Sequence, residues 1–425
     1  MLRRYLAVAA LLSLPAGASV PAGQGTMSKT DRELYKQMLV DIRKDLEENY
    51  YDRAYRGIDL ATTFKDATDK VGAAGTTAEA IDVITNTVFQ FGDSHTRFYP
   101  PTRSVRAIYG WTMTAIGDAP LVTRVESSSD AASQGLAPGD RVIALNRLTP
   151  TRANLWQIQH YYSVVRPQAQ QHVVVRKPDG SERAFEIKSN VERRQVVQLR
   201  DAIREEIDEF RAGLDHDYTV EPAILVWRMT EFRDSDFIGP FIGKARKSIA
   251  LVLDLRDNHG GAVDGLKALV GWLFDHELPI MTRVSRKGEQ REVAKPRSRP
   301  YLGKLVVLIN SRSASGSEIL ARIVQIEKRG MVIGDRSMGA VMASMTFSHE
   351  FGIGNVTMYA TSVTISDVLM PDGGRLENVG VTPDELLLPA PADLAAGRDP
   401  VLARAVALAG GAMTPEQAGK LYSGK

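Results

Sequence analysis

Two short runs hold residue types that can act on a carbonyl group. The first is Ser313-Ala314-Ser315-Gly316-Ser317-Glu318. It follows Leu305-Val306-Val307-Leu308-Ile309, which has the length and β-branched content of a buried strand. It opens a stretch, 315–327, with helical patterning. A serine at such a turn lifts its hydroxyl above the sheet edge, and the next backbone N–H points to where an oxyanion would form in acyl transfer. The same serines also suit helix N-caps, where a hydroxyl accepts from first-turn amides. The second run is Asp254-Leu255-Arg256-Asp257-Asn258-His259-Gly260-Gly261. It stands at the carboxyl end of an apolar strand, where α/β sheets place ligands. Its paired glycines let backbone N–H groups approach a bound atom, and they serve a plain turn equally well.

Composition removes several other chemistries. The chain has no cysteine, which excludes disulfides, thiolate nucleophiles and cysteine-ligated metals. His160, His172, His216, His276 and His349 show no paired ligand spacing, and no H-E-x-x-H run occurs. No metal or other cofactor is expected. Lys+Arg number 53 against 51 Asp+Glu, a net charge of +2, so neither nucleic acid nor an anionic membrane is an expected partner.

The elements that must position the two runs follow from periodicity. At 425 residues, two or three domains are expected. Leu34, Met38, Ile42 and Leu46 share one helical face, and Thr30 with Glu33 suggests the cap. Further helices are predicted over 60–71 and 77–91, and Gly92-Asp93-Ser94-His95-Thr96 ends the last one. Short strands follow: 121–125, 141–146, and a hairpin of 172–176 with 183–187 around Pro178-Asp179-Gly180. A short helix over 130–136 closes on Gly135. A polar helical stretch follows Val191. Strands and helices then alternate: strands at 223–227, 249–254, 305–309 and 330–334, helices at 263–274 and 315–327. Alternation of this kind predicts an α/β core with parallel strands. The run 389–396 is expected to be a surface connection to a short C-terminal helix. At the N-terminus, Met1-Leu2-Arg3-Arg4, an apolar run and Pro15-Ala16-Gly17-Ala18 have the layout of an export signal; the rival is an N-terminal anchor, and cleavage is expected because the run is shorter than the ~20 residues a spanning helix needs. The expected location is therefore secreted, in the periplasm.

Four motifs in order resemble those of the tail-specific (C-terminal-processing) serine peptidases. Asp254-Leu255-Arg256-x-Asn258-x-Gly260-Gly261 is similar to their D-L-R-x-N-x-G-G element, and Ser313 to Ala321 to their S-A-S-A-S-E-x-x-A segment. Leu376-Glu377-Asn378-Val379-Gly380-Val381-Thr382-Pro383-Asp384 resembles the late G-V-x-P-D element. Asp130-Ala131-Ala132-x-x-Gly135-Leu136-x-Pro138-Gly139-Asp140 is similar to the signature of the family's PDZ domain. One departure is informative. Gly334-Asp335-Arg336-Ser337-Met338-Gly339-Ala340-Val341 carries Ala340 where the lysine branch has its general base. Ser94-His95 and Glu377-Asn378 instead resemble the tricorn-like branch, which uses serine, histidine and glutamate.

The resemblance implies a multi-domain α/β protein: signal 1–22, helical region 28–103, PDZ-like domain 104–191, and an α/β peptidase core 192–425 of the ClpP/crotonase-like type. It implies Ser315 as nucleophile, His95 as base, and Glu377 with Ser94 as its orienting groups. Gly316 with Gly260 or Gly261 would supply the oxyanion hole. His259 is the reserve base. The expected partners are polypeptide substrates, taken by their C-terminal tails at a loop Gly110-Trp111-Thr112-Met113. The rival expectation is a binding protein on an inactive peptidase scaffold, for which Ala340 speaks.

Overall fold

The computed structural model describes residues 27–101, 105–193, 216–351 and 357–421. The expected export signal, 1–22, and most of the polar stretch after Val191 lie outside the described residues. The chain is a mixed α/β protein built on three main sheets.

A six-stranded sheet forms the core, in the order Glu385–Leu386, Met331–Gly334, Lys304–Ile309, Ala250–Asp254, Ile224–Arg228, His216–Val220. Its pairs are parallel except the last. Both faces are covered, which is why Ala250–Asp254 is buried at every position and reads as an unbroken apolar run up to Asp254. Leu251, Leu253, Leu305, Val307 and Ile309 pack toward the helices Ser235–Ala245, Val263–Leu273 and Gly316–Ile326. Val252, Val306, Leu308 and Ile333 pack on the opposite face with Leu402 and Val406 of the helix Pro400–Ala409.

A second sheet joins Arg97–Tyr99, Thr357–Leu369, Leu278–Ser285 and Gly288–Ala294, with Met342–Phe351 added along Thr357–Leu369. These hairpins escaped the periodicity, because Met342–Phe351 and Gly288–Ala294 have an exposed polar face and Thr357–Leu369 carries buried polar residues such as Thr361, Thr364 and Asp367. Beside them pack the N-terminal helices Lys29–Asn49, Leu60–Ala73 and Thr77–Phe89. The first buries Met38, Leu39, Ile42 and Leu46. Its cap is Ser28, not Thr30: the Ser28 hydroxyl accepts from Asp31 N–H at 3.0 Å and the Asp31 carboxylate returns the bond.

The third sheet is antiparallel, in the order Trp111–Ile116, Ala119–Val125, Arg141–Leu145, Gln170–Arg176, Glu182–Lys188. The helix Asp130–Gln134 ends on Gly135 at φ 89°, a left-handed C-cap open to glycine. A ribbon of Val105–Ile108 with Asn190–Arg193 brings the two ends of this unit together. At the C-terminus, 389–396 is not all connection, since Pro391–Ala395 forms a short helix. Among the described residues no helix is long and apolar enough to cross a membrane.

Candidate active site

Ser315 sits between the strand Lys304–Ile309 and the helix Gly316–Ile326, with φ 55° and ψ −117°. That is a costly conformation for a residue with a Cβ, held only where surroundings over-determine it. Ser315 is the N-cap residue, but its hydroxyl makes no cap hydrogen bond; its carbonyl takes the first-turn amides instead, and Glu318 takes its N–H. The strain has identifiable supports. Ser315 N–H donates to Ala340 O at 2.9 Å, and Ala314 N–H to Asn258 O at 2.9 Å. Asn258, fully buried, is a knot that sequence reasoning missed. It donates from Nδ2 to Met229 O, accepts from Gly260 N–H, and takes the Ser317 hydroxyl on its carbonyl.

The glycine pair lies against this turn. A Cβ on Gly260 would stand 2.7 Å from Ser315 Cβ and 2.9 Å from Gly316 N. Glycine is needed there for contact. The Gly260 N–H is already bonded to Asn258 Oδ1 at 2.8 Å, so it has no donor left for an oxyanion. The N–H groups of Gly261 and Gly316 donate to no described residue and remain available.

His95 is held from behind. Its Nδ1 meets Ser94 Oγ at 2.6 Å, and Ser94 Oγ donates to Glu377 Oε2 at 2.9 Å. Ser94 N–H also donates to Glu377 Oε1 at 2.8 Å. The turn is built by Asp93, 2% exposed, which accepts from the N–H groups of His95 and Thr96 and from the hydroxyls of Thr96, Thr364 and Tyr50. An Asx turn is the local signal that would have found Asp93. Burial drives His95 down to about 4, helped by Arg97, and pushes Glu377 up to about 7.

Ser94, His95, Gly260, Gly261, Ser315 and Ala340 line one cavity of about 880 Å³. Glu377 stands behind Ser94, and Gly316 opens the helix behind Ser315. No hydrogen bond joins His95 to Ser315 among the described residues. His259 and His160 border the same cavity; His160 is 1% exposed, and its Nε2 is bonded to Phe98 O at 3.1 Å. The expected tail-binding loop is not in this cavity. Gly110 alone is in a turn, and Trp111, Thr112 and Met113 open a strand. No group of three or more histidines and carboxylates that could hold a metal is present among the described residues.

Residues 224–387 match the model of peptidase family S41. The tail-specific protease of Haemophilus influenzae is 30% identical over 141 residues, 33% of this chain and 20% of that protein. The chloroplastic carboxyl-terminal-processing peptidase 1 of Arabidopsis thaliana is 24% identical over 340 residues, 74% of this chain and 63% of its own. The chain thus spans less than two thirds of either relative. The crystal structure of mature CPAF superposes with a TM-score of 0.63 at 15% identity, over 85% of this chain and 94% of that one, a likeness of fold. The two runs 254–261 and 313–321 both fall inside the matched segment.

Proposed function

We propose that the chain is a serine endopeptidase that works through an acyl-enzyme, with Ser315 as nucleophile and His95 as base. The observation that carries this reading is the unbroken hydrogen-bond sequence Glu377–Ser94–His95, ending at the cavity that Ser315 also lines. Ionised Glu377 accepts the Ser94 O–H. Ser94 Oγ then accepts from His95 Nδ1–H, which leaves Nε2 with a lone pair. Nε2 takes the Ser315 proton as the Oγ–C bond forms. The carbonyl electron pair moves to oxygen, which the N–H groups of Gly261 and Gly316 stabilise. Collapse breaks the C–N bond, and the leaving amine takes the proton from Nε2. Water, activated by the same nitrogen, then attacks the ester, releases the new carboxyl end and restores Ser315.

The rival is a binding protein without turnover. It rests on Ala340, whose N–H and carbonyl are both engaged in holding the Ser315 turn, so this segment has a role without a lysine. A fluorophosphonate probe separates the two readings. Wild-type protein should take one adduct, mapped by mass to Ser315, and Ser315→Ala should take none. An unlabelled, folded wild-type protein would select the rival.

The reading extends to an exported peptidase with the leader 1–22 removed, a helical region 28–103, a PDZ-like domain 104–191 that takes substrate C-termini, and a ClpP/crotonase-like core 192–425. Support comes from the strand Trp111–Ile116, which pairs on one side only and reaches the cavity rim at Ala115. On its open side Gln159 Nε2 donates to Met113 O at 3.0 Å, and the Ser311 hydroxyl to Ala115 O. A substrate tail would replace both as an added strand. Peptides with a free terminal carboxylate should be cleaved about 10-fold faster, or more, than their amidated forms, because charge-assisted hydrogen bonds are lost on amidation. Equal rates would remove the tail-recognition role.

A further inference from the structure

Glu318 has no catalytic assignment, yet it is fully buried beside the nucleophile turn. A helix-capping glutamate needs one bond, to the cap N–H, and Glu318 makes it: Ser315 N–H donates to Oε2 at 3.0 Å. Its other three bonds leave the helix. Ala340 N–H donates to Oε2 at 2.9 Å, Gly339 N–H to Oε1 at 2.7 Å, and the Ser337 hydroxyl to Oε1 at 2.6 Å. Four donors converge on one carboxylate that has no water-exposed surface.

The next residue along that segment belongs to the other half of the site. Val341 N–H donates to Glu377 Oε2 at 2.8 Å, the same oxygen that receives the Ser94 hydroxyl. The strap Gly339-Ala340-Val341 is thus gripped by the carboxylate under Ser315 at one end and by the carboxylate behind His95 at the other. Ser315 and His95 come from segments distant in sequence, and this strap is a short bonded path between them. A carboxylate with no exposed surface is costly to bury unless every donor matches it, so its retention here calls for a reason beyond capping.

We infer that Glu318 is a positioning residue, which sets Ser315 relative to the His95 relay by holding the 339–341 strap from the nucleophile side. The inference rests on the assignment of Ser315, His95 and Glu377 above. In Glu318→Gln the amide NH₂ must face N–H or O–H donors whichever way it turns.

The test is turnover per fluorophosphonate-titrated site, with KM measured in parallel, for wild type, Glu318→Gln and Ser337→Ala. A structural role alone lowers the titrated fraction and leaves turnover per site intact. Misplacement of the reacting atoms lowers turnover per site, and a shift of about 1 Å can cost about 10²-fold. The expected result for Glu318→Gln is a fall of about 10- to 100-fold in kcat per site with KM within about twofold. Ser337→Ala removes one of the four donors and should fall in the same direction by a few-fold. If Glu318→Gln does not fold, Ser337→Ala decides: wild-type kcat per site overturns the inference. Unchanged kcat per site in a folded Glu318→Gln does the same. With wild type labelled at Ser315, either outcome sinks this inference alone; an unlabelled wild type overturns it together with the assignment of Ser315.

Discussion

Replacing Ser315 with alanine should abolish peptide cleavage, by about 10⁴-fold or more, while the protein stays folded. On the proposed mechanism the Ser315 oxygen is the atom that bonds the carbonyl carbon, and alanine offers none. Stability should barely change, because the hydroxyl makes no cap hydrogen bond and the usual loss of about 1 kcal/mol for a removed cap does not apply. Ser315→Gly sharpens the test. At φ 55° and ψ −117° a Cβ is unfavourable, and glycine relieves it, so this inactive variant should gain about 1 kcal/mol in urea or thermal unfolding. Cleavage of an unfolded protein substrate and an unfolding curve for each variant check both parts. Wild-type cleavage by Ser315→Ala, or a less stable Ser315→Gly, would contradict the strained-nucleophile reading.

The second expected result concerns pH. Activity should rise through about 7 and depend on Glu377. The sign follows from the hydrogen-bond directions. Below its pKa, protonated Glu377 donates to Ser94, Ser94 donates to His95 Nδ1, and the imidazole proton is left on Nε2. That tautomer has no lone pair toward the cavity. Above it, the ionised carboxylate accepts, the sequence reverses and Nε2 becomes a base. Burial pushes Glu377 up to about 7, so the switch falls near neutrality, while His95, lowered to about 4, is neutral throughout. Glu377→Gln should cut kcat/KM by about 10²- to 10⁴-fold, since the amide cannot enforce the working tautomer. It should also erase the inflection near 7. Glu318 is pushed to about 7 by burial as well. An inflection that survives in Glu377→Gln and vanishes in Glu318→Gln would move the titrating group to Glu318.

Local patterning alone was enough to find much of this molecule. The strand Ala250–Asp254 and the helix Gly316–Ile326 are legible because burial on both faces and 3.6-residue periodicity leave direct marks in composition. Gly135 is legible because a left-handed cap favours one residue type. The hairpins Leu278–Ser285 with Gly288–Ala294 and Met342–Phe351 with Thr357–Leu369 were not legible, since Gly288–Ala294 and Met342–Phe351 have exposed polar faces and Thr357–Leu369 buries Thr361, Ser362, Thr364, Ser366 and Asp367, so each reads as loop.

The site divides in the same way. Ser315, His95 and Glu377 were found through motif resemblance, which is a statement about residue order. Their meeting is a matter of long-range pairing: Arg97–Tyr99 beside Thr357–Leu369, and Asp93 bonded to Tyr50 and Thr364, carry His95 to Glu377. No local pattern encodes a contact between such distant segments. The same reason explains Gly260 and Ala340. In sequence one is half of a glycine pair and the other a missing lysine. Only in the folded chain is the first a steric clearance for Ser315, with its N–H already used, and the second a link in the strap bonded to Glu318 at one end and to Glu377 at the other. The amino-acid sequence by itself determined which atoms are available for the chemistry. Tertiary packing determined which of them are free, strained or spent on holding the others, because burial and hydrogen-bond saturation depend on neighbours that the chain brings from far away.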